Sequence, residues 1–138
     1  MAEFLLKDMV KKLGRESEFE ISSSAVSTEE IWNGVGNSVY PPAKAELAKH
    51  GISCAGKRAQ LLTKADGEYY DLLLCMDESN VKRAQRIVGV ENAAKCKKLL
   101  SYAGENGDVA DPWYTRNFTA TYQDIMRGLE SLLNVIEI

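Results

Sequence analysis

The sequence predicts an α/β domain in three layers, a parallel sheet with helices on both faces. Three observations carry that prediction. Helical and strand-like periodicities alternate along the chain in the order helix, strand, helix, strand, helix, strand, helix. The segment Tyr70 to Met76 (YDLLLCM) is almost wholly apolar, the pattern of a strand covered on both faces. The 138 residues, 45% hydrophobic and 27% charged, suit one compact domain, residues 1–138, with its own core.

Residues 1–13 read as a helix, because Phe4, Leu5, Met9, Val10 and Leu13 recur at helical spacing and Gly14 is a natural stop. Phe19-Glu20-Ile21 alternates apolar and polar, so residues 18–24 are expected to form a strand. Residues 22–40 read as a long polar loop, and ordered loops of that length tend to be functional. Pro41-Pro42 opens the next helix, which runs through Lys49 and ends at Gly51. A short helical turn follows Thr63, whose hydroxyl caps it ahead of Asp66. Strand 70–76 is followed by a helix over 79–87, with Asp77 as its cap, and by a shorter strand over 94–100. Residues 104–115 read as a loop. The last helix, 117–135, puts Phe118, Tyr122, Ile125, Met126, Leu129, Leu132 and Leu133 on one face.

Composition excludes several classes of function. The net charge is −3 and there is no Lys/Arg-rich run, so no nucleic-acid partner is expected. No window has the apolar length of a membrane span, and the first residues carry charges of both signs rather than a signal peptide's apolar run. Cys54, Cys75 and Cys96 are odd in number and widely spaced, which argues against a disulfide framework and a zinc site. The acidic pairs Glu29-Glu30 and Asp77-Glu78 lack a convergent third ligand, and no phosphate-binding or dinucleotide fingerprint occurs. No metal or cofactor is therefore expected. The chain reads as cytoplasmic with reduced thiols.

Three segments then carry a resemblance to a known family. They are the opening MAEFLLKDMVKKLG, the strand and turn LLLCMDESN (72–80), and Asp111-Pro112-Trp113-Tyr114. In that order and spacing the chain resembles the low molecular weight protein tyrosine phosphatases over roughly residues 1–133. Supporting matches are Ser24 to Ser27, His50-Gly51-Ile52 and Lys57 to Thr63. The resemblance implies a hydrolase that cleaves phosphomonoesters through a cysteinyl-phosphate intermediate. Its substrates would be phosphotyrosine proteins or small phosphomonoesters. It also implies that Asp111 is the general acid, and that Trp113, Tyr114 and Trp32 line the substrate pocket.

One part of the family pattern has no match here. The family's nucleophile is a cysteine in a Gly-rich loop, C-x5-R-S, between its first strand and first helix. The residues six positions after Cys54, Cys75 and Cys96 are Gln60, Val81 and Tyr102, so none fits and the nucleophile is absent from these residues. The opening helix resembles the one that follows that loop, so the first, central strand is also expected to be missing from this chain. Two strands, 18–24 and 70–76, would then lack a neighbour. They are expected to pair with each other directly or to dimerise through their exposed edges.

The competing readings of function are a phosphatase inactive as written, a non-catalytic pseudophosphatase that self-associates or binds phosphopeptides, and, more weakly, an arsenate reductase-like remnant. Simpler roles suffice for other residues. His50 suits a helix C-terminus, Ser24 a strand end, and Cys75 a buried position, whereas Cys54 and Cys96 are expected in more polar surroundings.

Overall fold

The computed structural model describes residues 1–29 and 31–136, apart from the side chain of Trp113. The helices are α1 (Ala2–Lys12), α2 (Pro41–Lys49), α3 (Lys64–Tyr69), α4 (Glu78–Val88), α5 (Pro112–Thr115) and α6 (Phe118–Ile136). The strands are β1 (Ile31–Trp32), β2 (Val35–Gly36), β3 (Leu73–Cys75) and β4 (Cys96–Lys98).

The layers follow from the alternation of side chains along β3. β3 and β4 pair in parallel, with Leu73 opposite Cys96 and Cys75 opposite Lys98. Leu74 faces the main core, which holds Leu5, Leu6 and Val10 of α1, Leu47 of α2, Leu99 and Leu100, and Ile125, Leu129, Leu132 and Leu133 of α6. Leu73 and Cys75 face a second core, where Val81, Ala84 and Val88 of α4 meet Cys96. Helices therefore cover both faces of the sheet, as the periodicity predicts. Each Leu of α6 buried this way contributes about 1.5–3 kcal/mol. Gly128 lets α6 approach closely, because a Cβ there would lie 2.5 Å from Leu99 Cγ.

Local chemistry sets the helix ends. Thr63 and Asp66 form a reciprocal capping box at the start of α3. The Asp77 carboxylate accepts the Asn80 N–H at 2.7 Å and caps α4. Pro41 and Pro42 occupy the first turn of α2, where a missing N–H costs nothing.

Several expectations are corrected. Residues 18–24 do not form a strand: Glu16–Glu18 is a 3-10 turn, and the segment that follows bridges only at Ala25, parallel to Leu61. Among the described residues it does not pair with 70–76, whose strand has β4 as its one partner. A ladder needs a neighbour paired along its length, and among the described residues this segment has only that single bridge. The loop 22–40 contains the β1–β2 hairpin, and the loop 104–115 contains α5. The strand expected over 94–100 shortens to Cys96–Lys98 between two 3-10 turns. Leu13 is 54% exposed, beyond the end of α1. Cys54 and Cys96 are 4% and 5% exposed, not in polar surroundings.

Candidate active site

In open α/β sheets the carboxyl ends of the strands are where ligands bind. In this chain the loop that bears Asp111 is fastened to that end of β3. The Val109 N–H donates to the Met76 carbonyl at 2.9 Å. Asp108 accepts the Glu78 N–H at the start of α4 and pairs with Lys98, both at 3.2 Å. On the other side Asp124 of α6 accepts the Ala110 N–H at 3.0 Å, and the Thr121 hydroxyl donates to the Ala110 carbonyl at 2.7 Å. The loop is thus held from two directions immediately before Asp111.

Asp111 itself is exposed, and its carbonyl accepts the N–H groups of Tyr114 and Thr115. That starts α5, with Pro112 in the first turn. Tyr114 is 87% exposed. Trp113 lies within α5, but its side chain is outside the described residues. These residues form a short exposed helix bearing a carboxylate at its head and a phenol ring on its flank.

Trp32 stands at the end of β1, 77% exposed. The hairpin closes through Asn33-Gly34 with φ of +49° and +76°, a two-residue turn whose handedness matches the twist of its strands. Its base rests on the segment 57–60. A Cβ on Gly36 would sit 1.7 Å from the Ala59 carbonyl oxygen, so only glycine fits. Arg58 donates to the Gly36 carbonyl at 3.0 Å. The hairpin leads through Tyr40 into α2, and the Tyr40 ring lies 5.8 Å from that of Phe118, the first residue of α6. Trp32 thus lies on the hairpin that precedes α2, and Tyr114 on the short helix that precedes α6. α2 and α6 touch at their heads through Tyr40 and Phe118, and Asp111 and Tyr114 share the first turn of α5.

The N-terminal end of α1 holds a charged cluster that sequence reasoning missed. Glu3 has a side chain only 5% exposed. It accepts hydrogen bonds from Lys7 and Ser23, each at 2.6 Å, and pairs with Lys57 at 2.9 Å. Burial opposes its charge, yet these donors outweigh burial and bring the carboxyl down to about 2. Lys57 also donates to the Ser23 carbonyl, fixing the segment before Ala25. A groove of about 320 Å³ opens beside it, lined by Ser23, Ser24, Tyr40, Lys57 and Arg58 among others. The signal was present in the sequence: Glu3 shares a helical face with Leu6 and Val10, where a lone carboxylate needs partners.

The cysteines lie inside the fold. All three are buried and free. Burial first, then the neighbouring Cys96 and Asp77, push the Cys75 thiol up to about 12, and burial also raises Cys96. His50 caps α2, bonds to the buried Glu46 at 3.1 Å and stacks on Tyr122 at 3.9 Å between ring centres. Among the described residues no cluster of acids, histidines or cysteines forms a metal site, and no helix is long and apolar enough to cross a membrane.

Comparison with known proteins completes this picture. The family model described as low molecular weight phosphotyrosine protein phosphatase matches residues 1–137. The low molecular weight protein-tyrosine-phosphatase YfkJ of Bacillus subtilis (strain 168) is 31% identical over 139 residues, covering 99% of this chain and 86% of YfkJ. The low molecular weight phosphotyrosine protein phosphatase of Sus scrofa is 36% identical over 141 residues, with the same two coverages of 99% and 86%. The crystal structure of YfkJ superposes with a TM-score of 0.89 at 30% identity, over 99% of this chain and 84% of that one. The Streptococcus pyogenes phosphatase SP-PTP superposes with a TM-score of 0.85 at 27% identity, covering 99% and 83%.

Proposed function

The chain belongs to the low molecular weight phosphotyrosine protein phosphatase family, and from that premise we propose that it carries the acid half of a phosphotyrosine phosphatase site. These 138 residues do not turn substrate over by themselves. One observation carries this reading. Asp111 stands exposed at the head of α5, on a loop bonded to the carboxyl end of β3, while every cysteine is buried and none precedes an arginine by six positions.

In the reaction, a thiolate attacks phosphorus and the P–O bond to the phenol breaks. Asp111 gives its proton to the departing phenolate, and water later frees phosphate from sulfur. Trp32, Trp113 and Tyr114 would flank the phenyl ring. The missing participants are the thiolate, the arginine that grips the phosphoryl oxygens and the N–H cradle around them. Each contributes several orders of magnitude to rate. Buried Cys75, with its thiol pushed up to about 12, is no substitute.

The test is hydrolysis of p-nitrophenyl phosphate by the chain and by Asp111→Asn side by side. Equal background rates support the reading. Turnover by the parent that the variant lacks means a nucleophile exists among these residues, to be found by replacing the cysteines singly. Turnover that survives Asp111→Asn removes Asp111 from the acid's role.

A second reading, a non-catalytic protein that self-associates, is favoured by the edge of β3. Among the described residues that strand pairs on one side only, and Leu72 just before it is 37% exposed. An apolar edge of this kind pairs readily with another chain. Sedimentation equilibrium tests it: a concentration-dependent dimer, abolished by Leu72→Lys, supports it, and a monomer throughout the range refutes it.

A further inference from the structure

The outward side of α4 is basic, and among the described residues no carboxylate pairs with it. Val81, Ala84 and Val88 are buried, so the opposite side of the helix presents Ser79, Lys82, Arg83 and Arg86, all exposed. Among the described residues none of these three cations has an ion pair. Elsewhere several cations are paired, Lys7 and Lys57 with Glu3, Lys12 with Asp8 and Lys98 with Asp108, and no other helix face of the described residues carries three unpaired cations within five positions. Even Glu78, the acid four residues before Lys82 and well spaced to pair with it, reaches Lys98 at 3.9 Å instead. Three like charges on adjacent turns repel one another, a cost that a bound anion removes.

We infer that this face of α4 is a docking surface for an acidic polypeptide segment, the flank of a phosphotyrosine substrate. The geometry fits an extended chain. Lys82 and Arg86 are separated by about 6 Å along the helix axis, close to the roughly 6.6 Å between alternate side chains of an extended peptide. Two acidic residues in alternation can therefore meet both, with Arg83 and Arg86 able to take carboxylates in two-pronged fashion. The position fits as well. α4 starts at the Glu78 N–H bonded to Asp108, three residues before Asp111, so the basic face leads away from the candidate site. A short peptide is favoured over a membrane or nucleic acid because the chain carries a net charge of −3. An extended polyanion feels that charge, whereas a short one meets the local patch within a Debye length of about 8 Å. The link to phosphotyrosine rests on the phosphatase reading above; the docking itself does not.

The experiment is fluorescence anisotropy with a labelled peptide of alternating Glu and Asp around one tyrosine, unphosphorylated, at about 20 mM and about 200 mM salt. The expected result is saturable binding that weakens with salt and falls about tenfold in Arg83→Glu/Arg86→Glu. The charge-matched control Lys11→Glu/Lys44→Glu should retain it. Absence of binding overturns the proposal. So does equal weakening in the control, which would report net charge alone. So does binding to vesicles of anionic lipid with none to the peptide. Circular dichroism checks that both variants fold, and Arg83→Ala/Arg86→Ala repeats the test without charge reversal. The same peptide carrying phosphotyrosine separates the two ideas: an added gain lost in Tyr114→Ala belongs to the phosphatase site, and its absence leaves the α4 result intact.

Discussion

Replacing Glu3 by Gln keeps the size of the side chain and removes its charge from an enclosed cluster of Lys7, Ser23 and Lys57. The carboxyl falls from an ordinary 4.5 to about 2 in the folded chain. At about 1.4 kcal/mol per pH unit, that fall is worth about 3 kcal/mol of stability. The group's folded pKa is depressed, so the contribution is fully present above the unfolded value of about 4.5 and is lost as pH falls toward 2. Urea unfolding followed by far-ultraviolet circular dichroism measures it. The parent should exceed Glu3→Gln by about 3 kcal/mol at pH 7, a midpoint difference of about 1–2 M. At pH 3 the gap should shrink to about half or less. A gap of equal size at both pH values would refute the reasoning, because it would assign the loss to packing and hydrogen bonding rather than to charge.

Gly128→Ala should destabilise the fold by about 1–3 kcal/mol, although alanine is the better helix former, because its Cβ meets Leu99 at 2.5 Å; thermal melting measures this. Gly34→Val should loosen the hairpin without a clash, since nothing lies within 4 Å of a Cβ there and only the φ of +76° is strained; amide exchange at Trp32 reads the change. The three thiols should react with a disulfide reagent only as the chain unfolds and at one common rate, and prompt labelling of any one in the native chain would contradict its burial.

Legibility in the sequence followed the range of the interactions. Helices α1, α2, α3, α4 and α6 were readable because periodicity and caps are local, as at Thr63, Asp77 and Pro41. β3 was readable from its unbroken apolar run. Residues 18–24 were not, because alternation proposes a strand but only a neighbour can make one. The hairpin was hidden inside a polar stretch, although Asn33-Gly34 is a strong turn signal between Trp32 and Val35. Of the candidate site, Asp111 and its loop were legible as a motif. The bonds that hold the loop, from Met76 and Asp124, join positions far apart in the chain and leave no local trace. The partners of Glu3 were equally invisible, since Lys57 lies 54 positions away (57 − 3).

The contact between α2 and α6 has a mechanical consequence. Three links run along it: Tyr40 against Phe118, Glu46 bonded to Thr119 at 3.0 Å, and His50 stacked on Tyr122. One helix continues from the hairpin of Trp32, the other from the short helix of Tyr114. The hairpin of Trp32 and the short helix of Tyr114 are thus mounted on a common frame, like two brackets on one beam. A fluctuation that tilts α2 over the sheet must carry α6 with it, so the elements mounted on the two helices should move together.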